Sequence, residues 1–167
     1  MLIRSLRCAV VLCTTVGCDV PPDHSTVGGP APIDTLMGFQ YGTLYPDVVA
    51  TGIPLECDDL DMEGRMPCSS PGMTSDPGAY VLGCRNGVLE DMRMNLRGNW
   101  DGVPLDTLRS RMDAFGPPAR EVDYGEGTSV TVWENETLER YLICFPPADG
   151  PVTAGDCEVW VAAKGYF

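Results

Sequence analysis

Residues 102–118 read GVPLDTLRSRMDAFGPP, and this stretch decides the fold. Its apolar side chains recur three and four residues apart, the spacing of one helix face, at Leu105, Leu108, Met112 and Phe115. Pro104 suits the first turn of a helix, and Gly116-Pro117-Pro118 is the punctuation that ends one. The stretch therefore predicts an amphipathic helix from about Pro104 to Phe115 with one face buried.

Three strands are predicted after this helix. Segments 129–134, 138–145 and 157–163 include the sequences TVWE, LICF and CEVWV, which are rich in β-branched and aromatic residues. A tight turn at 134–137 and a polar loop at 146–156 separate them. A helix followed by an antiparallel meander indicates the α+β class, with helices packed on one face of an antiparallel sheet.

A similar order of elements is predicted upstream. Apolar residues in LYPDVVATG (44–52) indicate a short helix, and residues 57–77 are expected to form an irregular loop. Asn86-Gly87 then predicts a hairpin between strands 79–84 and 88–96. In the second strand, simple alternation predicts that Leu89 faces solvent and Met92 faces the core.

The chain is thus predicted to hold two tandem helix-plus-sheet units, residues 34–97 and residues 98–167. Three identities at a constant offset of sixty residues support this interpretation, namely Gly42 with Gly102, Leu82 with Leu142, and Cys84 with Cys144.

This layout resembles the tandem helix-plus-antiparallel-sheet proteins typified by the beta-lactamase inhibitor protein, and small outer-membrane assembly lipoproteins. The matching stretches are FQYGTLYPDVVATG (39–52) and GVPLDTLRSRMDAFGPP (102–118), each followed by a cysteine-bearing segment that leads into strands. The resemblance spans residues 35–167. It implies the fold and protein binding through the sheet face, without catalysis, and no functional residues are carried over from it.

The first eighteen residues, MLIRSLRCAVVLCTTVGC, have the layout of an export signal. Arg4 and Arg7 precede a short apolar run, and small residues lead into Cys18. This resembles a bacterial lipoprotein signal, in which residues 1–17 are removed and Cys18 is lipidated. Thr15 stands where such signals usually have Leu, so an ordinary secretion signal is the alternative. The apolar run is about half of the ~20 residues that span a bilayer.

The expected location is therefore the bacterial cell envelope. A lipid anchor would hold the protein at the outer or inner membrane, on the periplasmic or surface side; the alternative is a secreted protein. Residues 18–33, DVPPDHSTVGGPAPI after the cysteine, are rich in Pro, Gly and polar residues and predict a disordered tether.

The chain is strongly acidic, with 24 Asp and Glu against 11 Lys and Arg. Without Arg4 and Arg7 its formal charge is about −15, which argues against nucleic-acid binding because phosphates would be repelled. The single histidine, His24, lies in the predicted tether, which argues against Ser-His-Asp and Cys-His catalysis. No phosphate loop, zinc spacing or dinucleotide fingerprint is present, so no cofactor is expected.

Five cysteines follow Cys18, and in an oxidising compartment most of them should pair. Pairing between sequence neighbours would join Cys57 to Cys68 and Cys144 to Cys157. Cys84 would then be a buried free thiol, and a Cys18–Cys84 bridge is the alternative if Cys18 carries no lipid.

The acidic run DDLDMEG (58–64) places oxygens at alternate positions before a glycine, as in a calcium loop. The candidate metal ligands are Asp59, Asp61 and Glu63. Position 12 of such a loop is Ser70 rather than the bidentate Glu that calcium loops use. A solvated acidic loop and a docking surface for a basic partner are the other interpretations.

The tryptophans and tyrosines of the predicted strands indicate a binding face, with Trp133, Tyr141 and Trp160 as its candidate residues. The alternative is packing between the two units. Glutamates lie close by in the sequence at 134, 136, 139 and 158, and paired carboxylates serve glycoside hydrolysis.

We therefore expect a non-enzymatic envelope lipoprotein that binds another envelope or secreted protein through a sheet face. It would contact the membrane only through its lipid anchor. The alternatives are a calcium-binding or small-ligand-binding envelope protein and, less favoured, a carboxylate hydrolase.

Overall fold

The computed structural model describes residues 33–166. Its ten strands are Thr35–Leu36 (β1), Phe39–Gln40 (β2), Glu56–Cys57 (β3), Arg65–Ser69 (β4), Tyr80–Arg85 (β5), Val88–Asn95 (β6), Arg120–Asp123 (β7), Ser129–Glu134 (β8), Leu138–Cys144 (β9) and Cys157–Ala163 (β10). Its helices are Tyr45–Ala50 (α1) and Leu105–Met112 (α2), with 3₁₀ turns at Asp113–Phe115 and Ala154–Asp156. The predictions for the signal, Cys18 and His24 lie outside the described residues.

Strands β3 to β10 form one antiparallel sheet in the order β3-β4-β5-β6-β10-β9-β8-β7. Each half of this sheet is a four-stranded meander that follows its own helix, and the halves meet where β6 pairs with β10. The predicted α+β fold is confirmed. The strand order is the one that two tandem units give when their last strands pair.

The main core lies on one side of the sheet, here called the helix face. Val48 of α1, and Leu108 and Met112 of α2, pack there against buried strand residues such as Leu82 and Leu142. Burial of each such side chain contributes about 1.5–3 kcal/mol. The opposite side, here called the open face, carries no helix among residues 33–166.

The Asn86-Gly87 hairpin forms as predicted, and both residues have the positive φ that a tight type I′ turn needs (52° and 76°). The expected alternation along β6 is wrong, however. Cys84 pairs with Leu89 whereas Gly83 pairs with Asp91, so a bulge at Glu90 interrupts the register. A bulge reverses alternation, and Leu89 and Met92 are therefore both buried in the core.

Other boundaries also differ from the prediction. Ile33, assigned to the tether, is 7% exposed and belongs to the core, because an apolar residue directly before the β1–β2 hairpin can pack with it. The expected irregular loop at 57–77 contains β4, which is held by pairing with β5 on one side and β3 on the other. None of the helices among residues 33–166 is both long and apolar enough to cross a membrane.

Two disulfides join the cysteines that the sequence spacing paired. Cys57 bonds to Cys68 between β3 and β4, and Cys144 bonds to Cys157 between β9 and β10. In each case the two residues are direct cross-strand partners with Cα atoms 4.0 Å apart. Cys84 is a buried free thiol, and burial raises its pKa.

Cys84 has no disulfide partner among the described residues because the residue that pairs with it on the neighbouring strand is not a cysteine. Cys84 and Cys144 lie at or next to the last position of the third strands of the two meanders, and Cys144 pairs with Cys157, the first residue of the fourth strand β10. The residue that faces Cys84 in the equivalent place is Leu89. The Leu89 backbone bonds to Gly42 and Thr43 on its other side. Cys84 and Leu89 therefore form a close, non-hydrogen-bonded pair, the geometry that suits a cross-strand disulfide.

We predict that Leu89→Cys forms a third disulfide with Cys84. Oxidised protein should yield, in mass spectrometry, a peptide pair cross-linked between positions 84 and 89, and Cys84 should no longer be alkylated after unfolding. Val88→Cys is the matched control, since Val88 faces Arg85 instead. A bridge in the control, or an alkylatable Cys84 in Leu89→Cys, would contradict the assigned register.

Candidate functional site

Cross-strand register defines three rows of side chains on the open face. The central row runs through Arg120, Val132, Tyr141, Trp160, Arg93, Val81 and Ser69. A neighbouring row runs through Glu134, Glu139, Ala162, Asp91 and Gly83. The third row includes Val130, Ile143, Glu158 and Asn95. Aromatic and arginine side chains therefore lie between two rows that carry carboxylates.

The structure separates the three residues predicted for the binding face. Tyr141 pairs with Trp160, and both are on the open face. Trp133 pairs with Arg140 and points to the helix face, where its indole Nε1 donates to the Gly116 carbonyl at 3.0 Å. The assignment of Trp133 to the binding face is therefore wrong, because its register is one residue out of phase with Tyr141 and Trp160.

Tyr141 is only 4% exposed, so it packs within the open face and offers little surface for contact with a partner. It packs with Val130 and Val132, and its hydroxyl donates to Glu139. Glu139 also accepts from Arg120 at 2.6 Å and from the Gly165 backbone N–H at 3.1 Å. Burial alone would raise the pKa of Glu139, but these hydrogen bonds outweigh it and hold the pKa below its usual value.

Trp160 is the predicted residue that remains partly exposed on this face. Its Nε1 donates to Glu158 at 3.0 Å, and the Arg93 guanidinium lies over its ring at 4.9 Å from the centroid. Arg93 in turn holds Glu158 with two nitrogens, at 2.8 and 2.9 Å. The indole, guanidinium and carboxylate thus fix one another.

A second arginine stack lies beside the first. Arg65 holds Asp91 with Nε at 3.1 Å and Nη2 at 2.8 Å, and its guanidinium lies 5.7 Å from the centre of the Tyr166 ring. The pKa of Asp91 is raised because burial outweighs the attraction of Arg65. Between the two stacks is a recess of about 300 Å³, lined by Arg65, Asp91, Arg93, Trp160, Ala162 and Tyr166.

Gly83 makes room for the Asp91 carboxylate, which lines this recess. Its row neighbour is Asp91, and a Cβ built on Gly83 would overlap an Asp91 carboxylate oxygen. Ala162, on the other side of Asp91 in the same row, is also small. A larger residue at position 83 would push Asp91 away from Arg65.

We predict that Gly83→Ala lowers the free energy of unfolding by about 1–3 kcal/mol, the usual cost of overpacking. In an Asp91→Ala background the same substitution should cost much less, because the clashing carboxylate is gone. Urea unfolding of the two single variants and the double variant measures this coupling. Additive costs would contradict the proposed contact between positions 83 and 91.

The glutamates considered for hydrolysis are largely committed to ion pairs. Arg120 bridges Glu134 and Glu139, Lys164 lies 3.1 Å from Glu134, and Arg93 holds Glu158. Glu136 is exposed in the turn between β8 and β9. Glu134, Glu139 and Glu158 therefore take part in ion pairs on the open face.

The candidate calcium ligands do not come together. One Asp61 carboxylate oxygen accepts from the backbone N–H groups of Glu63 (2.9 Å) and Arg65 (2.8 Å), closing the loop on itself. Glu63 turns toward Arg85, with a 3.3 Å ion pair. Within residues 33–166 no three His, Cys, Asp or Glu side chains are grouped to hold a metal ion.

The sequence reasoning missed Arg65, Asp91, Arg93 and Tyr166 as members of the site. A glycine inside a strand signals close approach of another group, and Gly83 gave that signal, but identifying Asp91 as the group requires the β5–β6 register. No protein-family model, curated protein or solved structure matches this chain.

Proposed function

We propose that this chain is a non-enzymatic protein of the bacterial cell envelope, anchored by lipid on Cys18, that binds another envelope or secreted protein through its open face. The observation that carries the proposal is the pair of stacks, Arg93 on Trp160 and Arg65 on Tyr166, beside a recess with no helix from residues 33–166 over it. Trp, Tyr and Arg are the residue types that contribute most to protein-binding energy.

The stacks are also ordered before binding. Each arginine is held by a carboxylate, Glu158 or Asp91, so little side-chain freedom remains to be lost on association. An acidic protein with pre-organised arginines and aromatics on one face suits a partner that offers carbonyl oxygens and apolar side chains there.

The face is large enough for a stable interface. Eight strands, spaced about 4.8 Å apart and about six residues long, cover roughly 700 Å². A typical partner contributes about 800 Å² to a specific complex.

The sheet edges suit binding less well. β3 has two residues, and β7 has four, of which Arg120, Glu121 and Asp123 are charged. Short and charged edge strands discourage the addition of a further strand. These features favour the face over the edges.

The proposed location agrees with the cysteine chemistry, since two disulfides suit an oxidising compartment. The resemblance to small outer-membrane assembly lipoproteins also supports an envelope location. A secreted, non-lipidated form is the alternative. Mass spectrometry of the mature protein would distinguish the two by an acyl mass on an N-terminal Cys18.

Quantitative enrichment of envelope proteins on the immobilised mature chain tests the binding proposal. We expect Trp160→Ala to reduce recovery of a specific partner at least tenfold. Trp100→Ala is a matched control, since it also removes a Trp–Arg stack (Arg111, 5.0 Å) but on the helix side. Equal recovery on wild type and Trp160→Ala, or equal loss with the control, would contradict the proposal.

A further inference from the structure

The loop between β3 and β4, residues 58–63, is a second surface that the open face does not account for. It exposes two large apolar side chains, Leu60 at 67% and Met62 at 106% of full exposure. Single exposed apolar residues are common on proteins. Two of them within three positions of one short loop, with nothing from residues 33–166 packed over Met62, form a locally apolar surface that binding would cover.

The loop is held in place at its base. The Cys57–Cys68 disulfide joins the strands that enter and leave it. The Asp61 backbone N–H donates to the Arg65 carbonyl at 2.8 Å, and the Asp61 side chain accepts from two backbone N–H groups. Leu60 and Met62 are therefore presented on a pre-formed loop, so binding through them costs little ordering entropy.

The surroundings of the two apolar side chains are negative. Asp58, Asp59, Asp61 and Glu63 alternate with them in the sequence DDLDME. Of these four, Glu63 has an arginine within ion-pair distance among the described residues. The apolar surface is thus rimmed by carboxylates, and charge complementarity selects a basic partner.

The loop adjoins the open face without being part of it. Arg65, the first residue of β4 after the loop, lines the recess. Tyr45 of α1 lies on the other side, with its hydroxyl 3.6 Å from the Cys57 sulfur. Leu44, 55% exposed, precedes Tyr45 and extends apolar surface at this end of the sheet.

We propose that loop 58–63 docks a basic segment of a protein partner that also carries apolar side chains, with Leu60 and Met62 packing between those side chains. Asp58 and Asp59 pair with lysine or arginine side chains that flank the apolar side chains of that segment. The loop conformation supports this use over calcium binding, because Asp61 and Glu63 already bond to Arg65 and Arg85. The inference is carried by residues other than those of the proposed open-face function.

A labelled amphipathic Leu/Lys peptide of about fourteen residues is the probe, and fluorescence anisotropy with the mature chain is the measurement. We expect saturable binding that weakens about tenfold when Leu60→Ser and Met62→Ser are combined. Asp58→Asn with Asp59→Asn should weaken it by a similar factor at low salt and by less at high salt. A Leu/Glu peptide of the same length should not bind.

Met73→Ser is the matched control, because Met73 is 70% exposed in a different loop. It should leave the peptide affinity within twofold of wild type, and so should Trp160→Ala on the open face. Wild-type affinity in the Leu60/Met62 variant, equal weakening by Met73→Ser, or strong weakening by Trp160→Ala would overturn the proposal. Failure of the open-face experiments alone would leave these peptide results unchanged, so the two proposals fail separately.

Discussion

Trp133→Ala is expected to lower the free energy of unfolding by about 3–5 kcal/mol, the usual cost of removing a buried tryptophan. The indole is 5% exposed, packs edge-on against Phe115 at 6.3 Å, and donates to the Gly116 carbonyl. These contacts hold the 3₁₀ turn that follows α2 against β8. Urea unfolding followed by circular dichroism measures the loss.

Trp160→Ala should lower the free energy of unfolding less than Trp133→Ala does, but should reduce partner binding more. The Trp160 ring is partly exposed, and it takes part in an arginine stack and a hydrogen bond at the sheet surface, so a loss of about 1–2 kcal/mol is expected. Partner recovery should fall sharply for Trp160→Ala, whereas Trp133→Ala should retain it at temperatures where that variant is folded. Similar stability costs for the two substitutions would contradict the assignment of the tryptophans to opposite faces.

Replacing Cys144 and Cys157 together by alanine should cost about 3 kcal/mol. The bridge closes a loop with a sequence separation of 13, and the chain-entropy model assigns about that value to loops of this length. Both cysteines are also buried in the core that supports the open face. Denaturant titration of the double variant, with and without reductant, measures the effect.

Cys84→Ala is the control for this pair, because it removes a buried thiol without removing a bridge. We expect it to cost about 1 kcal/mol, the typical value for a point substitution, and reductant should still destabilise it. Reductant should have a smaller effect on the Cys144/Cys157 variant, in which Cys57–Cys68 is the one disulfide left among residues 33–166. An equal loss in both variants would show that the Cys144–Cys157 bridge adds no stability.

Much of the second unit could be predicted because its signals are local. The apolar spacing around Leu108 and Met112 and the glycine-proline stop define α2. Predicted strands 129–134 and 157–163 match β8 and β10 as observed. Leu82 and Leu142, which the offset of sixty residues related, both lie in the third strand of a four-stranded meander.

The first unit was harder because its strands depend on partners distant in sequence. β4 reads RMPCS, with a proline and no alternation, and is held by β3 and β5. Edge strand β7, REVD, is also hard to predict as a strand, because three of its four residues are charged and it is held by pairing with β8. The bulge at Glu90 reverses the alternation of side chains in one part of β6, and no sequence pattern predicts it.

The site was predictable only in part. Trp160 and Tyr141 were placed correctly on one face, but adding Trp133 required a register that the sequence alone does not supply. The alternation that predicts a solvent-facing Leu89 also predicts a solvent-facing Asp91. Asp91 is nevertheless only 9% exposed, because Arg65 of β4 and Tyr166, after β10, both lie against it. Such contacts between distant segments leave no local pattern.

The open face depends on both halves of the sheet. Arg93 and Asp91 come from β6, whereas Trp160 and Ala162 come from β10, so the two stacks meet at the junction between the units. Pairing of the last strands therefore creates the recess as well as the continuous sheet. The pairing of β6 with β10 therefore links the sheet topology to the proposed binding function.

Site-specific photo-crosslinking in the producing cell tests the central claim most directly. A benzoylphenylalanine placed at Ser69 or Val81 would lie on the open face in the same row as Arg93, and one at Thr107 or Ser110 would lie on the exposed side of α2. We predict a discrete adduct with the same envelope protein from both open-face positions and none from the α2 positions. Adducts only from α2, or from all four positions alike, would contradict binding through the open face.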